Sequence, residues 1–148
     1  MIYTVDQIAD YFIWRANNDE EFGDNITNLK LQKLVYYAQG FSLALNGRVL
    51  FNEDIRAWAH GPVVPVLYSR FKDQRATPLA TPEDFLPKSI DSDTRELLEE
   101  VYSVYGQYSA WGLRNLTHEE RPWRDTATNG IISVEKMKAF FSTQLTDV

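Results

Sequence analysis

The stretch ITNLKLQKLVYYAQGFSLALNGRVLFNEDIRAWAHGPVVPVLYSRFK, Ile26 to Lys72, decides how the rest of the chain can pack. Its first part predicts a helix from Asn28 to Asn46. Thr27 can cap that helix, because a threonine hydroxyl accepts from an otherwise orphaned backbone N–H. Gly47 follows at the position where a left-handed residue costs least as glycine. Leu31, Leu34, Val35, Ala38, Phe41 and Leu45 recur on a helical period and make one apolar face. Leu29, Tyr36 and Leu43 make a second stripe well round the cylinder. A helix apolar on two sides must be covered on two sides, so this one is expected at the centre of the fold.

The period then changes. Arg48 to Phe51 and Ile55 to Ala59 are short and strand-like, with the turn-forming Asn52-Glu53-Asp54 between them. They predict a two-stranded hairpin over residues 48–59. His60-Gly61-Pro62 then predicts the start of a helix from Val63 to Lys72, since proline suits the first helical position, where its missing N–H has no partner to lose.

Outward from this stretch, Thr4 and Gln7 form a capping-box pattern for a first helix, Thr4 to Asn17. Asn17 to Asn25 is polar, with Phe22 as its apolar anchor, and predicts a surface loop. Pro78, Pro82 and Pro87 forbid a long regular element between Asp73 and Asp91. Phe85, Leu86 and Ile90 are expected to pin that loop to the body. Three more helices follow. One is capped by Ser92 and runs to Tyr105. Another is capped by Ser109, runs from Ala110 to Thr117 and buries Trp111, Leu113 and Leu116. The last is capped by Ser133, with Met137, Phe140 and Phe141 inward. Between the last two, His118 to Trp123 predicts a turn, with Trp123 plugging the core. The expected fold is mainly α: about six helices around helix 28–46, one small hairpin, and a single domain spanning residues 1–148.

Composition narrows the function. The chain of 148 residues is 44% hydrophobic and 14% aromatic, enough for a real core. No apolar run approaches the roughly 20 residues that cross a bilayer, and the N-terminus lacks a basic-then-apolar leader. Zero cysteines leave no disulfide or thiolate metal site and suit a cytoplasmic setting. The net charge of −6 argues against nucleic-acid binding, whose affinity comes largely from phosphate neutralisation. It favours encounter with a basic protein partner.

No catalytic set emerges. There is no G-x-S-x-G elbow, and Ser92, Ser109 and Ser133 read better as helix caps. His118-Glu119-Glu120 lacks a second histidine four residues on, because position 122 is proline. His118 reads instead as a helix C-terminal residue whose protonated form the dipole favours. His60-Gly61-Pro62 has neither the glycine-rich loop nor the Lys-Ser/Thr pair of a phosphate cradle. Arg70, Lys72 and Arg75 read as solvated or ion-paired with neighbouring acids such as Asp73. No catalytic residue, cofactor or metal is therefore assigned, and an enzyme acting on a small molecule or nucleotide is the weakest reading. For a partner surface the hairpin and its flanks stand out, Arg56, Trp58 and His60, because a hairpin leaves backbone edges open to another strand. Lys33, Tyr37 and Gly40, between the two apolar stripes, are a second candidate patch.

LQKLVYYAQGFSLALNG (Leu31–Gly47) and LFNEDIRAWAHGPVVPVLY (Leu50–Tyr68) resemble the Panacea domain family, which includes SocA-type antitoxins and phage-associated GepA proteins. Tyr105-Gly106, Ser109 to Leu116 and THEERPW (Thr117–Trp123) resemble its second half. The likeness runs from Ile2 to Phe141. One position departs: Ala59-His60 precedes Gly61-Pro62, where members often have tyrosine or phenylalanine before the Gly-Pro pair. The resemblance implies a non-enzymatic antitoxin that neutralises a cognate protein toxin by direct binding. Its alternatives are an adaptor handing the toxin to a cytoplasmic ATP-dependent protease, or a phage-associated modulator of a host protein.

Overall fold

The computed structural model describes residues 2–20 and 26–145. Phe22, expected to anchor the first loop, lies outside the described residues. Helix α2 (Asn28–Asn46) runs through the middle, and every residue from Leu31 to Gly40 is buried. Thr27 Oγ1 accepts from the Lys30 N–H, and Gly47 at φ 69° closes the far end by donating to the Leu43 carbonyl. Against α2 pack α1 (Val5–Asn17), α3 (Pro65–Phe71), α4 (Ser92–Tyr105), α5 (Ala110–His118) and α7 (Val134–Ser142). A four-residue α6 (Arg121–Arg124) links α5 to α7. The molecule is mainly α, with seven helices among the described residues and a small antiparallel sheet.

That sheet lies further along the chain than expected. Its strands are β1 (Arg56–Trp58) and β2 (Gly61–Val63), joined by a two-residue turn at Ala59-His60 and registered Arg56 with Val63 and Trp58 with Gly61. Residues 48–51 cannot serve as a hairpin strand because their backbone groups are already taken. Gln39 on α2 accepts from the Leu50 N–H at 2.7 Å and donates to the Phe51 carbonyl at 2.8 Å. The Leu50 carbonyl accepts from Tyr3 N–H at 2.7 Å. The segment is thus strapped to α2 and to the N-terminus.

Helix α3 starts two residues later than Pro62 suggests. Val64 donates its N–H to Gln32 Oε1 at 2.9 Å and is held extended. Pro65 then takes the first helical position, and a proline disfavours helical geometry in the residue before it.

The capping box of Thr4 and Gln7 and the caps by Ser109 and Ser133 form as expected. Asp91, not Ser92, caps α4, accepting from the Thr94 N–H while Tyr3 hydroxyl donates to its carboxylate. In the proline-bearing loop Ile90 is buried and Phe85 packs on Trp14, but Leu86 is exposed and Leu79 takes the inward position. Trp111, expected inside, is 54% exposed. It sits out of phase with Leu113 and Thr117, the residues α5 buries.

Candidate partner-binding face

The two candidate patches lie in opposite surroundings: one is buried and the other reaches the surface. Lys33, Tyr37 and Gly40 are interior, so they form no surface patch. Gly40 is where α7 reaches α2: a Cβ there would overlap the Phe141 ring. Lys33 is 0% exposed and donates from Nζ to the Pro62 carbonyl at 3.1 Å. Burial pushes its pKa down to about 7, because a charged ammonium loses its water there. Above it, Gly61 at φ 109° leaves room. A Cβ at that position would stand 2.7 Å from Thr117 Oγ1 and 2.8 Å from Lys33 Cε. The Gly-Pro pair is therefore the lid over a buried lysine.

A buried carboxyl was not legible in the sequence. Glu120, 7% exposed, accepts from the hydroxyls of Tyr36 at 3.0 Å and Tyr37 at 2.9 Å. Burial raises its pKa to about 7 against the opposing pull of those two donors. Tyr37 stacks on Tyr105 at 3.9 Å, and both it and Tyr36 meet Phe141 edge-on. The run Glu119-Glu120-Arg121 looks solvated in sequence; only the turn from α5 into α6, where Glu120 stands extended, brings the second glutamate inward. His118 likewise differs from expectation. Burial and the nearby Arg114 lower its pKa, outweighing a hydrogen bond to the Ala59 backbone, and its ring stacks on Trp123 at 3.9 Å.

Arg56, Trp58 and His60 do share one region of surface, on and beside β1. The expected open strand edge is closed, however. Ala57 N–H donates to the Gly130 carbonyl at 3.0 Å, Asn129 N–H to the Ala57 carbonyl at 2.6 Å and Ile132 N–H to the Ile55 carbonyl at 2.8 Å. Arg56 Nη1 reaches the Asn129 carbonyl at 2.8 Å, and Trp58 Nε1 reaches Asn129 Oδ1 at 3.0 Å. The loop before α7 thus occupies the place a partner strand would take, and side chains are left to make any contact.

Trp58 and His60, but not Arg56, line a groove of about 550 Å³ whose walls also include Leu29 and Tyr68. Trp58 meets Tyr68 edge-on at 5.3 Å between centroids, and His60 leans on Trp111 at 5.7 Å. Arg114 lies 4.4 Å over the Trp111 ring. Lys72 and Arg75 stand on the rim, exposed. Arg70 pairs with Asp6 and Asp10, but neither Lys72 nor Arg75 makes an ion pair among the described residues. Large aromatics partly held by neighbours are the usual anchors of protein interfaces, since they bury area at small entropic cost. Tyr68 and Trp111 could have been suspected from their place off the apolar stripes of α3 and α5.

The model for the antitoxin SocA-like, Panacea domain matches residues 31–124. The chain belongs to the Panacea-domain family of SocA-like antitoxins. A relative in Caulobacter vibrioides, strain NA1000/CB15N, the antitoxin SocA, is 36% identical over 116 residues, which is 71% of this chain and 61% of that protein's length. No solved structure matches significantly. The residues of this Panacea domain that the match covers include α2 from Leu31 on, the hairpin, the buried Lys33 and Glu120, and the groove wall from Trp58 to Arg75. Among the described residues no helix is long and apolar enough to cross a membrane.

Proposed function

We propose that this chain is a non-enzymatic antitoxin of the cytoplasm that neutralises a cognate protein toxin by direct contact. Family membership carries the reading. The groove beside β1 supports it, because it offers half-exposed aromatics with rim charges that nothing in the described residues satisfies. Trp58 and His60 belong to that contact surface and Arg56 braces it. Lys33, Tyr37 and Gly40 act from within, by fixing how α2, β2 and α7 meet.

The test is expression of the adjacent open reading frame with and without this chain. Growth arrest by the neighbour alone, relieved when this chain is present, is the expected result. A harmless neighbour, or toxicity untouched by this chain, overturns the proposal. The partner's half-life in the same cells separates masking from delivery to a protease. Masking leaves the half-life unchanged or longer, and a shortened half-life replaces masking with the adaptor reading.

A further inference from the structure

We infer that the groove beside β1 takes an acidic segment of the partner polypeptide, an apolar side chain packing against the touching Trp58–Tyr68 pair with a carboxylate reaching Lys72 and Arg75. The inference rests on the antitoxin reading and adds the chemistry of the segment that is held. The charge of the whole chain, −6, favours a basic partner, but the groove reverses that preference locally. Among the described residues its charged lining residues are Lys72 and Arg75, and no aspartate or glutamate lines it. Long-range attraction follows net charge, whereas register at a contact follows the nearest unpaired charges.

Three observations set the occupant. The groove is walled mainly by carbon, from Leu29, Val63 and the aromatic rings, so an apolar anchor gains by leaving water. Arg75 is held at φ 46°, a left-handed backbone that a β-carbon disfavours. Such an outlier on an exposed rim is a reason to look for function there. Bidentate pairing with a planar carboxylate is what a guanidinium does best. A single-stranded nucleic acid would also use cations and rings, but it needs open ring faces for stacking. Here Trp58 and Tyr68 meet edge-on, and Arg114 already covers a face of Trp111.

Two fluorescein-labelled octapeptides test this, each with adjacent leucine and phenylalanine, one flanked by two aspartates and one by two lysines. A labelled ten-residue oligouridylate is the third probe. Anisotropy should show the acidic peptide binding at least tenfold tighter than the basic one. Arg75→Gly, which also relaxes the backbone, and Lys72→Gln should each weaken it several-fold, while Lys138→Gln on exposed α7 surface should not. Unfolding midpoints of all variants are measured alongside. Absence of acidic-peptide binding, equal affinity for both peptides, tighter binding of the oligonucleotide, or indifference to Arg75→Gly in a folded protein overturns the inference. The co-expression assay distinguishes the two failures. A toxin still neutralised by the Lys72→Gln, Arg75→Gly double variant removes the acidic anchor alone. A chain that binds the acidic peptide but relieves no toxicity removes the antitoxin reading alone.

Discussion

At the scale of single residues, two buried ionisable groups leave a signature in the pH dependence of stability. Lys33 has a folded pKa of about 7 against 10.5 when free. Between those values the unfolded chain holds a proton that the folded one has lost, so stability rises with pH there. Glu120 has a folded pKa of about 7 against 4.5. Between those values the folded chain holds the extra proton, so stability falls as pH rises. Together they predict a dip near neutrality. Urea unfolding at pH 5, 7 and 9 should show Lys33→Met flattening the alkaline limb and Glu120→Gln flattening the acidic one, each by on the order of 2–3 kcal/mol. Unchanged limbs in both variants would mean that water reaches the two sites. Gly61→Ala is the companion test. It forces a β-carbon into a left-handed backbone and onto Lys33 and Thr117. A loss of roughly 2–4 kcal/mol in the same assay is expected.

At the scale of elements, α7 seats on α2 where the Phe141 ring lies against Gly40. Gly40→Ala should push Phe141 off its seat and lower stability by about 1–3 kcal/mol, as overpacking of a filled core does. Adding Phe141→Leu should restore much of that loss, because the two changes share one contact. Additive losses would show that the helices meet elsewhere. Much at this scale was legible in advance. The apolar stripes of α2 up to Leu43, the Thr27 and Gly47 ends and the caps at Thr4, Ser109 and Ser133 follow from local rules that tertiary packing did not overrule, whereas Leu45, expected in the first stripe, is exposed near the helix end. The hairpin was legible in kind only. Arg48 to Phe51 is strand-like, but Gln39, a polar residue in the middle of a buried helix, claims its backbone. The reading of Lys33, Tyr37 and Gly40 as surface failed for the same reason. A polar residue between two apolar stripes looks exposed until a third layer, here β2 and α7, covers it. Nothing local marks Glu120 as buried, since its partners Tyr36 and Tyr37 lie more than eighty residues earlier.

At the scale of the whole molecule, α1 and α7 lie wholly or largely outside residues 31–124 yet pack on the same central helix. The chain should therefore unfold as one domain, with near- and far-ultraviolet circular dichroism melting together; separated transitions would contradict a single unit. The loop before α7 closes the edge of β1, which leaves the aromatic groove and its basic rim as the proposed contact surface.

Direct capture of the toxin through that groove is most simply tested by titrating purified toxin from the adjacent gene into this chain in a calorimeter. The wild-type chain is predicted to bind with a saturable isotherm, and a Trp58→Ser variant with an unchanged melting temperature to bind at least tenfold more weakly. Growth rescue without detectable binding, or full-strength binding by the folded Trp58→Ser protein, would contradict it.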